Sequence, residues 1–150
     1  MGRLLVALAL VGLGCGGGGD AAPAALLAHA APAAPVTGAL HEVRMLVTPD
    51  GAYVYEPDSL AIAVGDRVRW VNVSGGPHNV AFYPEKVPAG ARDFLNVRMG
   101  PRMGDLVGPL VFEPNAVYEI SFDGAPPGTY AYVCTPHEML GMTAQLTVVK

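Results

Sequence analysis

The segment RVRWVNV at residues 67–73 shows most clearly how this chain folds. Val68, Trp70 and Asn72 fall on one face of an extended segment, and the two arginines fall on the other. Successive side chains of a β-strand point to opposite faces, so this alternation predicts a strand with one buried side. A glycine-containing turn lies on each side of the segment, which sets its length.

Eight further segments show short, strand-like patterns between turn residues. They are residues 41–48, 52–56, 59–64, 80–83, 111–112, 117–122, 129–134 and 142–149. Glycine, proline and arginine break every period in residues 84–108, which we predict to form a long loop with one helical turn near residues 92–96. Short strands at this spacing, without a long helix, predict an all-β sandwich.

The composition of the chain changes near residue 40. Residues 1–40 hold 25 hydrophobic residues, 8 glycines and only two charged residues. Residues 41–150 hold 12 acids and 8 bases, and their hydrophobic content of about 47% is ordinary for a globular domain. A length of 150 residues allows one domain with a short appendage. The sequence pI near 5.4 and the absence of a run of Lys or Arg lead us to expect no nucleic-acid partner.

The N-terminus has the pattern of an export signal. Arg3 precedes the uncharged apolar run Leu4–Leu13, which is too short to cross a bilayer as a helix. The run ends at Gly14-Cys15, which resembles a bacterial lipoprotein signal, a family in which the cysteine is acylated. We therefore expect a signal peptide at residues 1–14, a lipid anchor on Cys15 and a location on the periplasmic side of the bacterial envelope. The alternative is a plain secretory signal in which Cys15 is removed or incidental.

Residues 15–40 have the composition of a linker. Glycine, alanine and proline dominate, and no amphipathic period is sustained. We expect a disordered tether between the anchor and a domain at residues 41–150.

Three side chains that bind soft metals lie close together near the C-terminus. Cys134, His137 and Met142 have the spacing Cys-x2-His-x4-Met in a loop between two predicted strands, and His78 follows a turn upstream. Each residue alone has an ordinary structural explanation. Two imidazoles, a thiolate and a thioether together form the ligand set of a type 1 copper site, so the sequence predicts one bound copper ion.

The order of these motifs resembles the cupredoxin family. The run from Val64-Gly65-Asp66 through Trp70-Val71-Asn72, followed by Pro77-His78-Asn79-Val80, is most similar to plastocyanin, and the ligand loop is also similar to that of pseudoazurin. The resemblance covers residues 41–150 and implies a Greek-key β-sandwich. It also implies that the metal at one end of the sandwich is held by His78, Cys134, His137 and Met142.

The same resemblance assigns roles to residues around the ligands. Its loop spacing selects Met142 rather than Met139 as the thioether ligand. It also implies that Asn79 hydrogen-bonds across to the loop that carries the cysteine. The family places an aromatic residue directly before the ligand cysteine as part of a second electron route. Val133 stands there in this chain, which puts that route in doubt.

Two surface features concern partners. Pro136, Met139 and Leu140 are expected to form an apolar rim around the exposed edge of His137, which suits brief docking with a redox protein, although loop packing is an equal alternative. The arginines of residues 92–102 indicate either a different partner surface or a solvated loop.

These features favour a monomeric carrier of single electrons. Its partners are expected to be redox proteins such as a c-type cytochrome or a membrane oxidoreductase. The alternative is a copper-trafficking or storage protein, and Met99 with Met103 leaves open a second, weaker Cu(I) site at the surface. Only His29 and His41 remain unassigned, too few for the additional centre of a copper enzyme, so we expect no enzyme activity. Cys15 and Cys134 have separate assignments, so we expect no disulfide.

Overall fold

The computed structural model of the protein describes residues 38–150. The predicted signal peptide at 1–14, Cys15 and the linker up to residue 37 lie outside the described residues. Residues 38–150 form eight strands: β1 (Leu40–Val47), β2 (Tyr53–Glu56), β3 (Ser59–Ala63), β4 (Arg67–Asn72), β5 (Ala81–Phe82), β6 (Val117–Ser121), β7 (Gly128–Val133) and β8 (Thr143–Val149). Within residues 38–150, no helix is long and apolar enough to span a membrane.

The strands form two four-stranded sheets. One sheet has the order β2-β1-β4-β6 and the other has the order β3-β8-β7-β5. The pairs β1–β4 and β3–β8 are parallel, and the other neighbours are antiparallel. The predicted all-β sandwich is therefore confirmed, and its two sheets enclose one hydrophobic core.

Strand β4 supplies the centre of that core, as the alternation in its sequence predicts. Val68, Trp70 and Asn72 are fully buried, whereas Arg67 and Arg69 lie on the outer face. The arginines share the carboxylate of Glu119 on the neighbouring strand β6.

The strand directions give the sandwich two distinct ends. Strands β1 and β4 run side by side from the pair Leu40–Arg67 to the pair Met45–Asn72. We call the end at which they begin the lower end, and the end at which they finish the upper end. Strand β7 pairs antiparallel with β8, and the pair Val133–Thr143 closes their ladder at the end from which Cys134 follows. The loops after β4 and β7 both carry predicted metal ligands.

The chain enters the described domain at the lower end through a close backbone contact. A Cβ atom added at Gly38 would lie 1.8 Å from the carbonyl oxygen of Gly65, so only glycine fits there. The carboxylate of Asp66 accepts hydrogen bonds from the Ala39 and Ala63 amides and also bonds the His41 ring. These contacts join the start of β1 to the turn between β3 and β4.

The segment at residues 84–108 holds more regular structure than the predicted loop, and the helical turn predicted near residues 92–96 is part of a longer helix. This segment contains a short 3-10 turn and the two-turn helix α1 (Ala91–Arg98). Ala91, Leu95 and Met99 recur every four residues and are buried against the sandwich. This short amphipathic stripe is easily missed among the surrounding glycine, proline and arginine residues.

Two smaller predictions also need correction. Residues 111–112 do not form a strand, because Val111 makes only an isolated bridge with His78. Met99 lies in the core while Met103 is exposed, so these two side chains do not form a surface Cu(I) site.

The arginines of residues 92–102 all have partners. They are Arg92 with Asp105 at 2.8 Å, Arg98 with Asp123 at 3.4 Å and Arg102 with the Asn96 side chain. Because two of the three face a carboxylate, this segment presents little unbalanced positive charge.

Candidate metal centre

The upper end of the sandwich brings the four predicted ligands together from two loops. His78 lies between β4 and β5, whereas Cys134, His137 and Met142 lie in the connection between β7 and β8. That connection begins as the ladder between β7 and β8 ends, and the Cys134 amide donates to the Met142 carbonyl at 3.1 Å. Cys134 and Met142 therefore face each other across the open end of the strand pair.

Strand β4 and residue 111 hold the histidine loop in place. The buried Asn72 side chain donates to the carbonyls of Gly76 and Val111 and accepts the Gly75 amide. His78 exchanges two backbone hydrogen bonds with Val111, at 3.0 and 2.8 Å. The loop before His78 thus has a fixed path, although it forms no regular structure.

The distances between ligand atoms suit a single metal ion. The Cys134 sulfur lies 3.3 Å from Nδ1 of His137 and 3.7 Å from Nδ1 of His78, and the three ligand atoms all lie within 4.8 Å of one another. An ion bound at about 2.3 Å to sulfur and about 2.0 Å to nitrogen would separate those two atoms by roughly 3.5 Å at a tetrahedral angle. The side chains are therefore spaced to receive an ion with little movement.

Burial favours the neutral forms of the two imidazoles and the protonated form of the Cys134 thiol. Burial, with a smaller contribution from the neighbouring His137, lowers the pKa of His78 to about 4. Burial also lowers the pKa of His137. It raises the pKa of the Cys134 thiol, and the backbone amides of Asn79 and His137 offset part of that rise. A coordinating metal cation removes the thiol proton outright, so the buried thiol suits a resident ion.

Asn79 connects the two ligand loops. Its side-chain oxygen accepts the Thr135 amide at 2.8 Å, and its side-chain amide donates to the Thr135 hydroxyl at 3.0 Å. Thr135 directly follows Cys134, so these bonds hold the cysteine beside the residue that follows His78. The Tyr55 hydroxyl donates to the Asn79 carbonyl at 2.6 Å and ties this connection to strand β2.

Two tyrosines that no sequence motif indicated lie against the centre. Besides Tyr55, the ring of Tyr53 stacks on the His137 imidazole with centroids 3.9 Å apart and planes 20° apart. Both residues lie on β2, whose YVYE sequence looks like that of any half-buried strand. The pairing of two aromatic residues at alternate positions is the one sequence signal that points to them.

Only one ligand reaches the surface. His78, Cys134 and Met142 are fully buried, whereas His137 keeps 8% of its surface exposed. Around it, Met139 is 96% exposed and Leu140 is 61% exposed, and Pro136 is also exposed. His41 lies at the lower end on Asp66, away from this centre.

Comparison with known proteins agrees with this geometry. Residues 42–149 match the model of the copper-binding proteins of the plastocyanin/azurin family. The chain belongs to this family.

Individual relatives cover most of the domain. The plastocyanin of Scenedesmus fuscus is 38% identical over an alignment of 105 residues that covers 65% of this chain and 89% of that protein. The oxidised plastocyanin of the fern Dryopteris crassirhizoma has a TM-score of 0.53 and 28% identity, covering 72% of this chain and 99% of the fern protein. The pseudoazurin of Methylobacterium extorquens AM1 has a TM-score of 0.52 and 26% identity, covering 73% of this chain and 74% of its own.

The protein is therefore a cupredoxin most like plastocyanin, and it is an electron carrier with a type 1 copper site. His78, Cys134, His137 and Met142 are arranged as a copper site, and they are the side chains that would hold the ion. When bound, copper supplies one-electron chemistry by alternating between Cu(I) and Cu(II), and this mixed set of soft and imidazole ligands accepts both states.

One departure from the family pattern concerns the strand that leads to the cysteine. Val133 directly precedes Cys134, so no aromatic ring stands at that position. Tyr132 points instead into the core, where its ring lies 5.7 Å from that of Trp70 and 4.8 Å from that of Tyr55.

Proposed function

We propose that this cupredoxin carries single electrons between redox proteins on the periplasmic side of a bacterial envelope, held near the membrane by a lipid on Cys15. The observation that carries the proposal is the full burial of three ligands behind His137, the one ligand that keeps part of its surface exposed. An electron can pass through the edge of His137, while substrates and solvent have no access to an open position on the metal. Such a centre suits electron transfer and not catalysis.

The rim formed by Pro136, Met139 and Leu140 is the proposed docking surface. It is apolar, strongly exposed and adjacent to the one ligand at the surface. Small apolar contacts of this kind suit complexes that form and separate quickly. The proposed partners are a c-type cytochrome or a membrane oxidoreductase whose own redox group lies near its surface.

The two ends of the sandwich are consistent with anchoring. The chain enters the domain at the lower end, at Gly38 and Leu40, while the copper ligands lie at the upper end. A tether attached at the lower end leaves the docking rim free to meet partners. Cleavage after residue 14 and acylation of Cys15 are part of this proposal.

Copper trafficking is the weaker alternative. A delivery protein needs exposed ligands that exchange easily, whereas Cys134 and His78 are fully buried here. In residues 38–150, these two residues and His137 are the one group of His, Cys and acidic side chains placed to hold a metal ion. A copper enzyme would need a further centre rich in histidine, so we propose that the protein has no enzyme activity of its own.

The test begins with the metal-free protein. Addition of Cu(II) is expected to produce an intense blue band, because the Cys134 thiolate transfers charge to the metal. Cys134→Ser is expected to abolish this band, since the hydroxyl does not replace the soft thiolate ligand. A colourless wild-type complex would contradict the type 1 assignment.

The second part of the test separates the two functions. Stopped-flow mixing of the reduced copper protein with oxidised c-type cytochromes is expected to show rapid electron transfer with the copper retained. Transfer of copper itself to a chelating partner, without electron transfer, would favour trafficking.

A further inference from the structure

Tyr53 covers one face of the ligand at the protein surface. Its ring is nearly parallel to the His137 imidazole, with centroids 3.9 Å apart and planes 20° apart. The two residues come from different sheets, since Tyr53 begins β2 and His137 follows β7. Tyr53 is paired with Val47 in the ladder between β1 and β2, so its position is set by the sheet and not by the ligand loop.

The two imidazole ligands differ in what supports them. Histidine ligands usually donate the ring nitrogen that faces away from the metal to a protein acceptor, which fixes the ring plane. Nε2 of His78 has the Ser74 hydroxyl at 3.4 Å in that place. His137 has no comparable hydrogen-bond partner among residues 38–150. The Tyr53 ring packs against one face of its imidazole instead.

We propose that Tyr53 is a positioning residue of the copper centre: its ring fixes the plane of the His137 imidazole and thereby sets the reduction potential and the speed of electron exchange. This inference rests on the proposed electron-carrier function, and it assigns to strand β2 a part in that function. The His78 ring lies 6.2 Å from Tyr53, so the direct effect of the stack falls on His137.

The stack has an expected direction of effect. An imidazole bound to Cu(II) carries more positive charge than one bound to Cu(I), and the face of an aromatic ring attracts positive charge. Tyr53 therefore favours the oxidised state, and its removal is expected to raise the potential. A fixed ring also needs little rearrangement when the electron moves, so a loosened ring slows exchange.

Two substitutions separate the ring from the hydroxyl. Tyr53→Phe keeps the stack, whereas Tyr53→Leu removes it at moderate change in volume. In the copper-loaded full chain, Tyr53→Leu is expected to raise the potential measured by voltammetry. It is also expected to lower the self-exchange rate, measured by NMR line broadening, about tenfold. That is the smaller end of the losses in activity seen when a residue that supports a metal ligand is replaced. Tyr53→Phe is expected to remain close to wild type in both.

Phe94→Leu is the matched control. Phe94 is a half-buried aromatic residue on α1, where its ring packs near Phe122 and Arg98 and no ligand is present. This variant is expected to lose stability without any change in potential or exchange. If Tyr53→Leu does not fold, Tyr53→Ile takes its place, since a β-branched residue suits a strand.

A measurement on the metal-free protein keeps the inference separate from the electron-carrier function. The His137 ring protons are expected to show an upfield ring-current shift in wild type and Tyr53→Phe, and to lose it in Tyr53→Leu. Wild-type potential and exchange in Tyr53→Leu, or equal changes in both Tyr53 variants, would overturn the inference. A wild-type protein without the blue band or self-exchange would instead contradict the proposed function, whatever the ring protons show.

Discussion

Asn79 and Tyr55 show how much of the copper centre depends on single side chains. Asn79 bonds to both the amide and the hydroxyl of Thr135, and its own carbonyl accepts the Tyr55 hydroxyl. Metal ligands hold their geometry through such outer partners, which orient the ligands before the metal arrives. At the scale of the residue, the centre is a set of buried hydrogen bonds that holds two loops at a fixed separation.

Tyr55→Phe tests this set of bonds. The change leaves the Asn79 carbonyl buried without its donor, and we expect a loss of about 1 to 3 kcal/mol in the free energy of unfolding. Urea unfolding followed by the fluorescence of Trp70 measures the loss. The position or intensity of the blue band is expected to change as well, because the loop between His78 and Val80 is no longer tied to β2.

Tyr118→Phe is the control for Tyr55→Phe. Its hydroxyl makes a similar buried bond of 2.7 Å to the Met99 carbonyl, just after α1. This variant should lose similar stability and keep the wild-type spectrum. A spectral change in Tyr118→Phe but not in Tyr55→Phe would contradict the role given to Tyr55.

At the scale of the element, Asp66 joins three strands at the lower end of the sandwich. Its buried carboxylate accepts the Ala63 amide at the end of β3 and the Ala39 amide before β1, and it bonds the His41 ring at 2.7 Å. The hydrogen bond from Ala63 is the largest cause of a lowered pKa for Asp66, followed by the bond to His41. The ionised form of Asp66 is therefore favoured more strongly in the folded chain than in the unfolded one.

This lowered pKa predicts a pH dependence of stability. The contribution of Asp66 is complete above its ordinary pKa of 3.8 and is lost as the pH falls through the lower value of the folded state. In metal-free protein, Asp66→Asn is expected to reduce the free energy of unfolding at pH 7 and to approach wild type as the pH falls below 3.8. Urea titrations across that range provide the measurement, and a difference that stays constant with pH would contradict the prediction.

The elements also show where sequence patterns were sufficient. The sequence predicts strand β4 because three residues that share a face alternate with two arginines. The structure has this strand, with those three residues buried. One helical turn was predicted near residues 92–96, but the full length of α1 was not, because its buried residues Ala91, Leu95 and Met99 repeat over two turns only. So short a helix is stable only when its apolar side packs against the sandwich.

At the scale of the whole molecule, the sandwich separates the place where the chain enters from the place where electrons leave. The first strand begins at the lower end, and the exposed edge of His137 lies at the upper end with Met139 and Leu140 beside it. Because these two places are separate, the proposed partner surface and the proposed lipid anchor can each be tested without changing the other.

Placing a charged side chain on the rim tests whether the rim is the docking surface for a redox partner. Leu140→Glu is expected to slow electron transfer to a cytochrome several-fold at an unchanged reduction potential, because a desolvated charge weakens docking on an apolar rim. Val97→Glu, at an exposed position on α1, is the control and should transfer electrons at the wild-type rate. Equal rates for both variants would argue against the rim as the docking surface.

The proposed lipid anchor on Cys15 is tested by fractionation. The full chain expressed in a bacterial host is expected in the membrane fraction, and Cys15→Ala is expected in the soluble periplasmic fraction or unprocessed. Both proteins should give the same blue band, since Cys15 takes no part in the metal site. A wild-type protein in the soluble fraction would instead support a plain secretory signal.

The sequence by itself predicted the fold class and a metal-binding loop, and its resemblance to the cupredoxins implied the full ligand set with His78. Alternation along a strand and the spacing Cys-x2-His-x4-Met are local properties, and local properties are readable in the order of residues. The contacts of Tyr53 with His137, and of Tyr55 with Asn79, were decided only by the tertiary structure. They join strands and loops that are far apart in the chain, and their partners depend on how the two sheets face each other.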